Sequence, residues 1–197
     1  MKRPAAALAL PAGALCFLIA QPLLRLPLLR LISSQARVAL WYVQYPFLIL
    51  ILLSLSAGLF EEAARCLFRR FAFRAQPISW LQPLLFGLGH GLAEALLILP
   101  AFIGAAPAAV APAILERLFA VLMHIGLTFI IWNGFQKGMP FRHLLLAILL
   151  HAAVNLLAAG LLQAGFDVWS VETALGVIAV LFVLYAFQSR KLYPEGE

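Results

Sequence analysis

The sequence predicts an all-α fold, a polytopic transmembrane helical bundle of about six spans with the N- and C-termini in the cytoplasm. Of its 197 residues, 64% are hydrophobic and 11% are charged, whereas soluble domains average about 45–50% and about 25%. The mean hydropathy is +1.01. These values exclude a soluble enzyme, a disordered chain and a disulfide-stapled secreted module. We expect one membrane domain over residues 1–197, with the motif-bearing core at 58–160.

Six apolar runs are long enough to cross a bilayer, which requires about 20 residues. Because lipid offers no hydrogen-bond partners to the backbone, each run is predicted to be a helix. The stretch from Arg25 to Arg37 mixes leucines with arginines, which predicts either a bent amphipathic segment along the interface or a simple loop. The predicted spans cover 5–24, 43–68, 81–101, 113–133, 143–163 and 172–188.

Lysine and arginine counts predict the orientation, because basic residues are retained on the cytoplasmic side. With six spans, the side that holds both termini receives ten basic residues and the other side receives four. The ten are Lys2, Arg3, Arg65, Arg69, Arg70, Arg74, Lys137, Arg142, Arg190 and Lys191. The four are Arg25, Arg30, Arg37 and Arg117.

The basic residues lie between apolar runs and form no continuous basic face, so no nucleic-acid partner is expected despite a net charge of +6. The expected partner is the lipid bilayer. We expect an integral membrane protein in the plasma (inner) membrane of a prokaryote.

Asp167 and Glu172 fall in the last outer loop, where solvated charge is the default expectation.

Several ionisable side chains fall within or at the ends of the predicted spans, where a charge costs about 2.5–3.5 kcal/mol. They are Glu61, Glu62, Arg65, His90, Glu94, His124 and His151. At a rise of about 1.5 Å per residue, four of them on four helices lie about 14–15 Å from the cytoplasmic helix ends. These four are Glu61, His90, His124 and His151. The sequence therefore predicts one polar layer near the middle of the bilayer.

Imidazoles with carboxylates at a common depth provide what a catalytic zinc site requires, namely ligands, an open position and a proton acceptor. Glu94 follows His90 by four residues and Asn155 follows His151 by four, so each pair shares a helix face. Either second residue could bind metal, support a ligand or hold substrate.

Structural roles are the alternatives for the same residues. A membrane histidine can serve only as an interhelical hydrogen-bonding residue. Glu61, Glu62 and Arg65 can form a helix end in which Glu61 and Arg65 pair. The glycines at 87, 89 and 91 either allow close helix packing or leave room for a substrate backbone beside the site.

Three short motifs occur in order: Glu-Glu-x-x-Arg at 61–65, Phe-x-x-x-His at 86–90 and His-x-x-x-Asn at 151–155. They resemble the successive motifs of the CPBP (CAAX protease and bacteriocin-processing) superfamily of intramembrane proteases. The segment Gly-His-Gly-x-x-Glu at 89–94 resembles the signature of the YhfC branch of that superfamily, and His124 is similar to the additional membrane histidine of that branch.

The resemblance implies a glutamate-dependent intramembrane metalloprotease. Glu61 would activate water, Glu62 and Arg65 would hold the site or the scissile carbonyl, and Asn155 would stabilise the oxyanion. A divalent metal, most simply zinc, is the expected cofactor. The predicted metal residues are His90, Glu94, His124 and His151.

The leading hypothesis is an endopeptidase that cleaves a membrane protein or a lipidated peptide, with the peptide bond entering from the cytoplasmic side. One alternative is a non-catalytic scaffold or binding subunit of the same superfamily. Another is a haem-b carrier with His124 and His151 as axial ligands, although this gives the glutamates no task. A transporter with a midplane ionisable site is a further alternative, but no paired repeats are visible.

Overall fold

The computed structural model describes residues 4–74 and 79–193, and this part of the chain consists of helices joined by short turns, without strands. Lys2 and Arg3, which were counted for the orientation, lie outside the described residues. The helices are α1 (Pro4–Leu18), a π-helical segment (Ile19–Arg25), α2 (Leu26–Ser33), α3 (Ala36–Gln44), α4 (Pro46–Phe71), α5 (Leu81–Ile98), α6 (Pro107–Gln136), α7 (Pro140–Gln163) and α8 (Val168–Gln188). Short 3₁₀ segments follow α5 (Leu99–Phe102) and α8 (Ser189–Leu192).

Six helices are long and apolar enough to cross a membrane, which confirms the predicted bundle of six spans. They are Ala7–Ser33, Pro46–Phe71, Leu81–Phe102, Pro107–Gln136, Pro140–Gln163 and Val168–Leu192. Three of them begin at a proline, because a proline at the first helical position needs no N–H partner and already has a helical φ. These spans therefore begin several residues from the predicted boundaries.

The first span differs from the prediction. The helix does not end near residue 24 but continues through the π-helical segment and α2 to Ser33. Pro22 lies in this segment and has no backbone N–H, which interrupts the α-helical hydrogen-bond ladder there. The prediction of an interfacial segment or loop at 25–37 is therefore wrong, because residues 25–33 continue the first helix. The chain bends instead at 34–35, and α3, which buries none of its residues, follows.

Glycines bring α5 against its neighbours. A Cβ at Gly89 would lie 2.0 Å from the carbonyl oxygen of Leu10 on α1, and a Cβ at Gly87 would lie 2.6 Å from the Cα of Ile125 on α6. Gly91 is equally close to Val121. Each glycine thus faces a neighbouring helix backbone, so of the two alternatives left open for these glycines the structure shows close helix packing.

Glu172, expected in the last outer loop, and Arg117, counted on the non-cytoplasmic side, lie inside the bundle instead. Arg117 and Glu172 are 9% and 5% exposed and belong to α6 and α8. Arg117 is buried because it pairs with carboxylates of α5 and α6. Asp167 remains exposed as expected, and its carboxylate accepts hydrogen bonds from the backbone N–H groups of Trp169 and Ser170. It therefore caps α8, which explains why that helix begins before the predicted start at 172.

The two ends of the bundle differ in charge. We call the end formed by residues 72–74, 79–80, 137–139 and 189–193 the basic end, and the end formed by 103–106 and 164–167 the opposite end. The exposed basic residues at or next to the basic end are Arg70, Arg74, Lys137, Arg142, Arg190 and Lys191. Those near the opposite end are Arg30 and Arg37.

The half of the bundle next to the basic end is tightly packed with aromatic side chains. The rings of Phe86 and Trp132 are both fully buried with centroids 5.0 Å apart, and Phe73 lies 5.9 Å from Phe86. Trp132 Nε1 donates to Gln82 Oε1 at 3.0 Å, so the buried indole N–H is satisfied. This packing closes the basic end.

Candidate intramembrane active site

Adjacent glutamates on α4 point to different partners. Glu61 and Glu62 are 2% and 0% exposed. Arg65, one turn further along the same helix, donates from Nη1 to both Glu62 oxygens at 2.5 Å. The predicted alternative of a Glu61–Arg65 pair is therefore not the arrangement found. Glu62 is the arginine's partner, and Glu61 is directed elsewhere.

Three histidines from three further helices meet these carboxylates. His90 on α5, His124 on α6 and His151 on α7 are all buried. The centroids of the His90 and His124 rings are 4.7 Å apart, and those of His124 and His151 are 5.5 Å apart. The tertiary structure thus brings together the four groups that the sequence places at one depth.

Each histidine is hydrogen-bonded to one carboxylate of another helix. His90 Nε2 donates to Glu61 Oε2 at 2.9 Å, and His151 Nδ1 donates to Glu62 Oε1 at 2.9 Å. The direction follows from the carboxylates, which only accept when ionised. For neutral His151, this leaves the lone pair on Nε2, which lies 3.9 Å from Glu61 Oε1.

His124 is bonded at both ring nitrogens. Arg65 Nη2 lies 3.2 Å from its Nδ1, and arginine can only donate, so Nδ1 is the acceptor. Nε2 then carries the proton and donates to Glu94 Oε2 at 2.6 Å. Arg65 therefore connects Glu62 with His124 and fixes the tautomer of this histidine.

Glu94 is held between His124 and Arg117. Arg117 Nη1 donates to Glu94 Oε1 at 2.9 Å, and its Nη2 donates to Glu116. This role of Arg117 was not predicted, because a charge near the end of the predicted span 113–133 was counted with the non-cytoplasmic side. The signal that could have found it is Glu116 next to Arg117, since such a pair is tolerated within a span.

Two residues of the first span also reach the site and were missed. Gln21 Nε2 donates to Glu61 Oε1, and Gln21 Oε1 accepts from Arg25 Nη1 at 3.0 Å. The remaining Arg25 donors bond to Ser56 Oγ at 2.9 Å and to the Leu53 carbonyl at 2.8 Å. Gln21 and Arg25 both belong to the π-helical segment, which is a form often found at functional sites. Gln21 and Arg25 are polar, are four residues apart and lie next to Pro22 in an apolar run, and this pattern could have indicated their role.

A cavity of about 410 Å³ adjoins the polar layer. Glu61, His151 and Glu94 lie at one end of it, and Gln21 and Arg25 form part of its wall. Asn155, which is half-buried, also lines this cavity. Glu62, Arg65, His90 and His124 do not line it.

This fold and this buried layer define a polytopic integral membrane protein that holds carboxylates and imidazoles inside the membrane. The family profile described as YhfC intramembrane metalloprotease matches residues 2–103 and 100–182. The chain belongs to this family, which confirms the resemblance of its motifs to the YhfC branch. A comparison with curated proteins found no match.

The family implies a metal, and the buried residues include a donor set that fits one. One ligand atom each from Glu61, His124 and His151 lies within 4.8 Å of the others. Two imidazoles with a carboxylate are a known set of three protein ligands for catalytic zinc. Glu62 holds His151 through Nδ1, as carboxylates commonly do for metal-binding histidines.

The predicted metal residues divide into two groups. His124 and His151 belong to the donor set, whereas His90 and Glu94 lie beside it and hydrogen-bond to Glu61 and His124. His124 would have to exchange one of its two hydrogen bonds to bind a metal.

Proposed function

We propose that the chain is an intramembrane endopeptidase in which Glu61 accepts the proton of the attacking water. One observation carries this proposal: Glu61 is a buried carboxylate that lines the 410 Å³ cavity and lies within 4.8 Å of two imidazole nitrogens. A general base needs access to the proton that it removes, and Glu61 has that access. Glu62 lacks it, since it is fully buried and does not line the cavity.

The proposed hydrolysis has two steps, attack of water on the carbonyl carbon and cleavage of the carbon–nitrogen bond. The oxygen of the water bonds to the scissile carbonyl carbon while its proton passes to Glu61. When the carbon–nitrogen bond breaks, Glu61 returns the proton to the leaving nitrogen. His90 and Gln21 donate to the two oxygens of Glu61, which orients the carboxylate.

Asn155 is proposed to stabilise the oxyanion. Its side-chain amide is a donor, and it lies on α7 one turn after His151, in the wall of the same cavity. Such a donor is effective in a site of low dielectric constant, where it is worth about 2.7–4 kcal/mol to the transition state. Glu62 and Arg65 lie away from the cavity, so we propose that they position His151 and His124 rather than contact the scissile carbonyl.

The proposed cofactor is one divalent metal, and zinc suits these nitrogen and oxygen donors best. His124 and His151 would hold it, and Glu94, which lies against His124 Nε2, would supply the carboxylate, so that Glu61 stays free to accept the proton. When bound, it supplies Lewis acidity at the scissile carbonyl and lowers the pKa of water. Glu62 and Arg65 keep both histidines in their present orientation, which favours metal binding without a large rearrangement.

The whole chain is proposed to act as one membrane domain in the plasma membrane of a prokaryote. Its substrate is proposed to be a membrane protein. A lipidated peptide presented at the cytoplasmic face is the alternative substrate.

The test is hydrolysis of a quenched fluorescent library of apolar peptides by the purified protein in detergent. Wild type is expected to cleave, and Glu61→Gln is expected to reduce turnover at least 100-fold, as loss of a general base does. Glu116→Gln is the matched control, because Glu116 pairs with Arg117 at the edge of the network, and it should remain active. Equal cleavage by wild type and Glu61→Gln would refute the proposal. A wild type that assembles with a partner but cleaves nothing would favour the scaffold alternative.

A further inference from the structure

The cavity extends from the polar layer in one direction only. On α4 it is lined by Leu50 and Ser54, which precede Glu61, and on α5 by Leu97, which follows Glu94. On α7 it is lined by Ala159, which follows His151. Since these helices alternate in direction, all of these residues lie between the polar layer and the opposite end.

The length of the cavity follows from the helix rise. Leu50 and Glu61 are eleven residues apart on α4, which corresponds to about 16 Å along the helix. The cavity therefore occupies most of the half of the bundle between the layer and the opposite end. In the other half, the fully buried rings of Phe86 and Trp132 fill the space between the polar layer and the basic end.

Charge distinguishes the same two ends. Six exposed lysines and arginines lie at or next to the basic end and two near the opposite end. Arg25, Arg65 and Arg117 do not enter this count, because their guanidinium groups are hydrogen-bonded inside the bundle. Since basic loops stay in the cytoplasm, the closed end faces the cytoplasm and the cavity faces the other side.

From these observations we infer that the substrate reaches Glu61 from the non-cytoplasmic half of the membrane. Entry from the cytoplasmic side was expected from the sequence, and the position of the cavity contradicts that expectation. This inference rests on the proposed function for the nature of the substrate, although the access route is a property of the cavity alone.

The length of the cavity and the accessibility of the peptide bond indicate the form of the substrate. An extended segment rises about 3.3 Å per residue, so the roughly 16 Å between Leu50 and Glu61 correspond to about five extended residues. The substrate is extended where it meets Glu61 in this proposal, because a helix keeps its peptide carbonyls hydrogen-bonded whereas an extended segment leaves them accessible. The chemical class that fits is a membrane protein with an extended, mainly apolar segment at the non-cytoplasmic end of its span. A lipidated peptide at the cytoplasmic surface would meet the closed end.

Thiol labelling in sealed membrane vesicles tests the access route without requiring activity. In a background of Cys16→Ala and Cys66→Ala, Ser54→Cys puts a single thiol in the cavity wall, seven residues or about 10 Å from Glu61. Lys137→Cys, in the exposed turn at the basic end, is the matched control. The probe is a charged, membrane-impermeant methanethiosulfonate.

We expect right-side-out vesicles to label Ser54→Cys at least tenfold faster than inverted vesicles do, with Lys137→Cys giving the reverse. Faster labelling of Ser54→Cys in inverted vesicles would overturn the inference. So would absence of labelling in both orientations, provided that the thiol reacts after denaturation and that Lys137→Cys labels normally.

The same vesicles address the substrate. The quenched peptide library, added outside, should be cleaved at least tenfold faster by right-side-out than by inverted vesicles. Faster cleavage by inverted vesicles would overturn the inference. Absence of cleavage in both vesicles and in detergent would refute the proposed function, while the labelling result would still decide the access route.

Discussion

Gln21 on the first span donates a hydrogen bond to Glu61 on the second, across 40 positions of sequence. The acceptor is the oxygen of Glu61 that also lies 3.9 Å from His151 Nε2. Arg25 holds the other end of the Gln21 amide. The two residues of the π-helical segment therefore orient the carboxylate that we propose as the general base.

Replacing Gln21 with alanine should lower turnover by roughly 10- to 100-fold, because a hydrogen bond to a charged group is worth about 1.5–3 kcal/mol. The loss should appear in kcat rather than in KM, since Gln21 is proposed to orient Glu61 and not to bind substrate. Steady-state kinetics on the peptide library measures it. Gln163→Ala, at the exposed end of α7, is the control, and an unchanged kcat in Gln21→Ala would contradict the proposed positioning.

The double variant His90→Ala, His151→Ala should lose bound metal, because it removes one proposed ligand and the imidazole that holds Glu61. Elemental analysis of the purified protein measures this, with His143→Ala as the control. The His143 ring is hydrogen-bonded to the carbonyl of Met139, just before α7, and its replacement should leave metal content unchanged. Equal metal in wild type and the double variant would leave only metal-free mechanisms.

Removing a metal that binds only the folded state should also lower thermal stability by mass action. A chelator is expected to decrease the Tm of wild type and of His143→Ala by several degrees. It should leave the Tm of the double variant unchanged. Differential scanning fluorimetry in detergent provides the measurement, and an identical decrease in all three proteins would show that the chelator acts elsewhere.

Arg65→Ala should destabilise the bundle by about 3–5 kcal/mol, the usual cost of leaving one partner of a buried ion pair uncompensated. Arg65 is 0% exposed and joins Glu62 to His124. The free energy of unfolding in mixed micelles is the quantity to measure. Arg74→Ala, an exposed residue at the basic end, should change it by no more than about 0.5 kcal/mol. A similarly small change for Arg65→Ala would mean that the ion pair is not formed.

Asp167 predicts a pH dependence of stability. The hydrogen bonds from Ser170, first from its hydroxyl and then from its backbone N–H, lower the pKa of this carboxyl below its ordinary value. Its contribution is therefore complete above about pH 4, the unfolded value, and is lost as the pH falls through the lower folded value. Asp167→Asn keeps a capping side chain without a titrating group.

Thermal unfolding between pH 6 and pH 2.5 measures this effect. The Tm of wild type relative to that of Asp167→Asn should fall on the acid side of pH 4. A Tm difference that stays constant over this range would show that the carboxyl does not stabilise α8 through its charge.

The predicted spans depend on local properties, which explains why they were found. Helix formation in lipid requires only a run of apolar residues, and Pro46, Pro107 and Pro140 refine the start of three helices because of their fixed φ. The depth of the site was also readable. Residues on a helix are separated by a constant rise, so counting from the helix ends placed Glu61 and the histidines in one layer.

The sequence did not predict which side chains form hydrogen bonds or ion pairs with each other. Arg65 pairs with Glu62, and Glu94 is shared by His124 and Arg117. Which pair forms depends on the rotation of each helix about its axis, and that rotation is set by close contacts such as Gly89 against Leu10. A slightly different rotation would satisfy the same motifs with other partners.

From the order of residues alone one obtains a six-span bundle, the family and a polar layer, because apolar length, motif spacing and helix rise are local and periodic. Folding settles which half of the bundle is open, since Phe86 and Trp132 meet only when α5 packs on α6. It also brings Gln21 to Glu61. Both outcomes depend on non-local contacts between helices, and no pattern along a single helix encodes them.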